Sequence, residues 1–68
     1  MKISVELIPS REKKIIELPQ GSNGLNLVKA MGLAPDVHII IRSNIPIPID
    51  KVLQDGDKIR IISIVSGG

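Results

Sequence analysis

From Lys2 to Ile8 the chain alternates: Ile3, Val5 and Leu7 fall on one face and Lys2, Ser4 and Glu6 on the other, the period-2 pattern of a half-buried strand. Pro9-Ser10-Arg11-Glu12 turns the chain. Lys14 to Leu18 alternates again, with Ile16 and Leu18 inward and Glu17 outward, so the first half-chain predicts a β-hairpin that Pro19-Gln20-Gly21 breaks. A short helix follows, with Leu27, Val28 and Met31 on one stripe of a 3.6-residue period and Ser22 or Asn23 as its cap. Gly32 ends it in the left-handed conformation, with Leu33 folded back on the last turn. The Gly21-Ser22-Asn23-Gly24 cluster reads as this cap and not as a phosphate cradle, because it lacks the lysine and glycine spacing of a P-loop.

After Pro35-Asp36, the run Val37 to Arg42 predicts a third strand, with Val37, Ile39 and Ile41 inward and His38, Ile40 and Arg42 on the opposite face. Ser43-Asn44 turns it into Ile45-Pro46-Ile47-Pro48-Ile49. Prolines at alternate positions point their missing N–H groups the same way, which suits an edge strand and discourages edge-to-edge aggregation. Asp50 to Leu53 returns the chain, Asp55-Gly56-Asp57 makes a tight turn, and Lys58 to Val65 is the last and longest strand. Hairpin, helix, then further strands define an α+β protein of the β-grasp arrangement: a mixed sheet of four to five strands with one helix on one face. The division expected is a domain over residues 1–66 and a flexible Gly-Gly tail at 67–68.

A 68-residue chain makes one domain at most, since at this size folding buries only about 60% of the surface that the unfolded chain exposes. With no cysteine and one histidine, neither a disulfide framework nor a Cys/His metal site is available. Nothing at the N-terminus resembles a signal peptide or a membrane span, so a soluble cytoplasmic protein without membrane contact is expected. Apolar residues are 43% of the chain and none is aromatic, which removes the platform on which single-stranded nucleic acids stack. A net charge of +2 adds no argument for a nucleic-acid partner.

Side-chain catalysis finds little support. The seven carboxylates are scattered over turns and solvent-facing strand positions. His38 reads as a solvated strand histidine, and no serine has a histidine partner that spacing would support. Asp55-Gly56-Asp57 lacks the remaining positions of an EF-hand loop and reads as a plain turn. Lys13-Lys14 beside Arg11 is too short a basic run to mark nucleic acid and reads as a solvated hairpin end. The terminus remains: a strand running into Ser66-Gly67-Gly68 presents a carboxylate on a stalk without Cβ atoms, able to enter a narrow active site on another protein.

Leu53-Gln54-Asp55-Gly56-Asp57-Lys58-Ile59, followed after one strand by Val65-Ser66-Gly67-Gly68, resembles the β-grasp sulfur carriers of the ThiS and MoaD type and the related ubiquitin-like modifiers. The resemblance covers the whole chain. It implies that the Gly68 carboxylate is adenylated by an E1-like enzyme and converted to a thiocarboxylate for thiamin, molybdopterin or tRNA thiolation, with Gly67 and Ser66 forming the tail. Partners would be that enzyme, a sulfur donor, and an acceptor synthase or thiolation enzyme. The carrier would bind no cofactor and catalyse nothing; ATP and magnesium belong to the activating enzyme. The alternatives are a modifier joined through Gly68 to target lysines, or a non-catalytic β-grasp interaction module with an inert tail. The "II-S-IV" ending lacks the paired prolines seen in many molybdopterin subunits, which favours the ThiS-like or modifier roles. Alternation places Ile62, Ile64 and Arg60 on the open face of the sheet, and the expected parity adds Ile40. This would be a docking patch at the tail root, rimmed by Arg42, Lys58 and Arg60.

Overall fold

The alternation at the two ends of the chain has one outlet, a shared sheet. In a computed structural model that describes residues 1–64, the strands are β1 (Lys2–Ile8), β2 (Glu12–Glu17), β3 (His38–Arg42), β4 (Ile45–Ile47) and β5 (Lys58–Ser63). They form one mixed sheet in the order β2-β1-β5-β3-β4. β5 lies at its centre, parallel to β1 and antiparallel to β3, and the parallel pair joins the two ends of the chain. One α-helix, α1 (Gly24–Ala30), supplies the crossover, followed by a 3₁₀ turn at Pro35–Val37. The β-grasp expectation therefore holds, with five strands among the described residues.

Seven residues are too few for a helix to persist alone, so α1 depends on its ends and on its buried face. Asn23 and Asn26 cap it reciprocally, each side-chain oxygen accepting from the other's backbone N–H at 2.9 Å. Two more first-turn N–H groups find carbonyls in the return segment after β4: Gly24 N–H donates to Lys51 O at 3.1 Å and Leu25 N–H to Ile49 O at 2.7 Å. At the other end Gly32 takes φ +72°, and Leu33 N–H donates to Val28 O and Gly32 N–H to Lys29 O, a Schellman motif. Ser43 and Asn44 both have positive φ, the backbone of a two-residue hairpin turn matched to the twist of β3 and β4.

Ile3, Val5, Leu18, Leu27, Val28, Ile40, Leu53, Ile59 and Ile61 form the core between helix and sheet. The sequence reading placed most of these, but not those on β3. Ile40, expected on the open face, is 2% exposed, while Ile39, expected inward, is 40% exposed. Arg42 is likewise on the helix side. The cause is that Val37-His38-Ile39-Ile40-Ile41 is apolar at nearly every position and so carries no phase of its own; parity is decided by what each residue meets. Ile40 lies opposite Ile61 in the register, and its Cδ1 sits over Gly24, where a Cβ would come within 2.5 Å of it. The glycine at the helix start leaves room for that side chain and for the Ile49 carbonyl, whose oxygen would lie 2.8 Å from the same Cβ.

The two sheet edges differ. Ile64 N–H bonds to Val37 O, so alternate residues from Val37 face β5, and Ile40 and Arg42 face β4 opposite Ile47 and Ile45. Pro46, between them, turns its nitrogen outward and denies the β4 edge a donor. The edge role expected for this strand is met, over the shorter span Ile45–Ile47.

Candidate functional site

Because β5 is central, the chain leaves the sheet from its middle. Ile64 is the last described residue; it is 55% exposed, and its N–H still donates to Val37 O at 2.9 Å. Val65 and the expected tail residues Ser66, Gly67 and Gly68 lie outside the described residues. At this exit the open face carries one continuous apolar row. Ile62 pairs with Ile8 on β1 and Ile39 on β3, so three isoleucines stand side by side across three strands. Ile41, one row back, and Ile64 extend the group.

One row away from the exit the same face becomes charged. Arg60 pairs in register with Glu6 and Ile41; its Nε lies 3.5 Å from Glu6 Oε1, and Nη1 donates to Asn44 Oδ1 at 3.3 Å. Lys58 follows, exposed and opposite Ser4. A shallow groove of about 490 Å³ crosses this part of the face, lined by Ser4, Glu6, Lys13, Ile15, Ile41 and Arg60 among others. Of the expected docking residues, then, Ile62, Ile64, Lys58 and Arg60 share the open face. Ile40 and Arg42 do not. Their places are taken by Ile39 and Ile41, and by Ile8, which the sequence reading left out although the alternation of β1 already put it with Lys2, Ser4 and Glu6.

Arg42 has another task. Its Nη1 donates to Asp57 Oδ2 at 3.2 Å, a part-buried ion pair, and the same carboxylate oxygen accepts from Gln54 N–H at 2.9 Å. Asp55 Oδ1 accepts from Lys2 N–H at 2.7 Å; Gly56 N–H donates to Lys2 O, and Ser4 N–H to Asp57 O. Asp55-Gly56-Asp57 is thus a turn, as expected: the Asp57 carboxylate holds the end of β3 and Gln54 N–H in the turn itself, while the Asp55 carboxylate and the backbone of Gly56 and Asp57 fasten the start of β5 to the start of β1. That fixes the register of the parallel pair and so which β5 side chains face the open side. Among the described residues no group of three or more His, Cys, Asp or Glu could hold a metal ion.

His38 lies opposite Ser63, a juxtaposition that spacing did not reveal. Its Nδ1 is 2.6 Å from Ala34 O and donates to it, so this ring nitrogen serves the 3₁₀ turn and is not a base aimed at the serine. No helix of the described residues is long and apolar enough to cross a membrane.

The sheet order, the helix crossing between hairpin and centre, and an exit from the central strand define a ubiquitin-like β-grasp protein. The ThiS family model matches residues 2–68, and the chain belongs to the ThiS family. A protein of Archaeoglobus fulgidus is 24% identical over 68 residues, covering all of both chains. Among solved structures, the crystal structure of SAMP1 from Haloferax volcanii superposes with a TM-score of 0.75 at 12% identity over the whole of both chains. The solution structure of an N-terminal ubiquitin-like domain gives a TM-score of 0.77 at 16% identity, covering 100% of this chain and 78% of that one.

Proposed function

We propose that the protein is a sulfur carrier whose reacting group is the carboxylate of Gly68. The observation that carries this reading is the family match, which extends to Gly67 and Gly68. A carboxylate resists nucleophiles because its charge is delocalised over two oxygens. An E1-like enzyme would join it to the α-phosphorus of ATP with release of pyrophosphate, replacing the charge by a leaving group. Sulfide equivalents from a donor then displace AMP and leave a thiocarboxylate. ATP, magnesium and the thiol chemistry belong to partners, which suits a chain without cysteine. Docking would use Ile8, Ile39 and Ile62 at the tail root. Arg60 and Lys58 at the rim favour an acidic partner surface and speed encounter more than they deepen affinity.

The test is ATP-dependent adenylation by the cognate E1-like enzyme, read by pyrophosphate release, with the chain ending at Gly68, lacking Gly68, or carrying one added residue. Adenylation restricted to the first supports the reading; unchanged adenylation of the extended chain refutes it. A modifier shares this first step and separates at the second, where a lysine amine would displace AMP and an isopeptide-linked product would be recovered from cells.

A further inference from the structure

β2 is an edge strand, and among the described residues no strand pairs with its outer side. Which of its residues point outward follows from the hydrogen bonds. Met1 and Leu18 exchange backbone bonds, Leu18 N–H to Met1 O at 2.9 Å and the terminal amine of Met1 to Leu18 O at 2.7 Å. Arg11 N–H donates to Leu7 O. Odd-numbered residues of β1 therefore face β2, and their register partners Glu12, Lys14 and Ile16 face back. The backbone N–H and C=O of Lys13, Ile15 and Glu17 are left pointing away from the sheet. Their side chains lie on the open face, and Ile15 is 65% exposed.

This edge is complementary to itself. We propose that two copies of the chain pair through β2, antiparallel about a two-fold axis at Ile15, to form one continuous sheet of twice the width. In that register Ile15 faces Ile15 of the second copy, and Lys13 faces Glu17 of the second copy, twice by symmetry. All three pairs are of the type in which facing residues exchange both backbone hydrogen bonds. Charges on the open face then continue an alternation already present in one chain: Arg60, Glu6 and Lys13 lie in one row through β5, β1 and β2, and Glu17 with Lys2 of the second copy extends it. A lysine on an edge ordinarily opposes strand addition. Here it meets a carboxylate. The opposite edge, where Pro46 offers no donor, cannot propagate the pairing, so association closes at two copies. The tail exits and the isoleucine row on β1, β5 and β3 stay uncovered, so the dimer is independent of the proposed chemistry at Gly68.

One short strand pair is a small interface, and the dimer is a weak one formed at roughly millimolar concentration. Hydrogen exchange followed by NMR tests it on the unmodified chain. The amides of Lys13, Ile15 and Glu17 should gain protection as concentration is raised, while those of Lys14 and Ile16 stay protected throughout. Lys13→Glu and Glu17→Lys should each weaken self-association by about tenfold or more, since each creates two like-charge pairs. A mixture of the two variants should associate, because the carboxylate introduced by the first substitution then meets the ammonium introduced by the second. Sedimentation showing a monomer at every concentration, or self-association that neither substitution changes, would overturn the proposal. So would a mixture that associates no better than its components.

Discussion

Replacing Ile40 and Ile39 one at a time by alanine distinguishes the observed phase of β3 from the opposite phase that its sequence suggests. Ile40 is 2% exposed and packs where the sheet meets the first turn of α1. Truncating it removes apolar atoms and leaves a cavity that its surroundings cannot readily fill, because Gly24 and Leu25 are tied by backbone bonds to Lys51 and Ile49. A loss of about 2–5 kcal/mol is expected. Ile39 keeps two-fifths of its surface in water, and its truncation should cost about 1 kcal/mol or less. A chain of 68 residues has roughly 3–10 kcal/mol of stability in all, so Ile40→Ala consumes a large share of it. Urea titration followed by far-ultraviolet circular dichroism reads the difference: with a slope of about 1 kcal/mol/M, the Ile40→Ala midpoint moves by about 2 M or more and that of Ile39→Ala by about 1 M or less. If Ile40→Ala is largely unfolded, Ile40→Val, with an expected loss of about 0.5–1.5 kcal/mol, keeps the comparison measurable. An Ile39→Ala loss equal to or larger than that of Ile40→Ala would show that the strand faces the other way.

Gly24→Ala should destabilise by about 1–3 kcal/mol despite alanine's better helix propensity, because the new Cβ would stand 2.8 Å from the backbone oxygen of Ile49; thermal melting shows it, and a gain in stability would contradict the packing described. Asp57→Ala removes the acceptor shared by Gln54 N–H and Arg42 and should cost about 1–3 kcal/mol in a denaturant titration, with faster exchange of the Gln54 amide. Ile62→Asp should leave the domain folded but weaken docking of the activating enzyme by about 2 kcal/mol, roughly thirtyfold, so that adenylation falls at low carrier concentration and recovers as carrier is raised. An unchanged concentration dependence would remove Ile62 from the docking surface.

What was legible in the sequence follows from where polar residues punctuate apolar ones. β1 and β5 interleave Ser4, Glu6, Lys58 and Arg60 with isoleucine, valine and leucine, and their inward faces were read correctly. The Asn23 cap and the Gly32 termination are local chemistry and were also legible. β3 was not, because consecutive isoleucines offer no polar residue to set the phase; Arg42, which could have set it, faces the helix side through a carboxylate fifteen positions on. The tasks of Asp55 and Asp57 were likewise hidden, since their main partners, Lys2 and Arg42, are distant in sequence and are brought close only by the pairing of β5 with β1 on one side and with β3 on the other. As a result, four of the six residues expected in the docking patch, Ile62, Ile64, Lys58 and Arg60, lie on the open face, and the two from β3, Ile40 and Arg42, lie on the other side of the sheet.

The carrier reading is tested most directly by the intact mass of the protein isolated from its own cells, followed by fragmentation to locate any change. The prediction is a fraction heavier by about 16 Da, oxygen replaced by sulfur, with the increment confined to the fragment that ends in Gly67-Gly68 and absent from fragments holding Met1 or Met31, where oxidation would add nearly the same mass. An increment found only at the methionines, or a chain that continues past Gly68 in every molecule recovered, would contradict it.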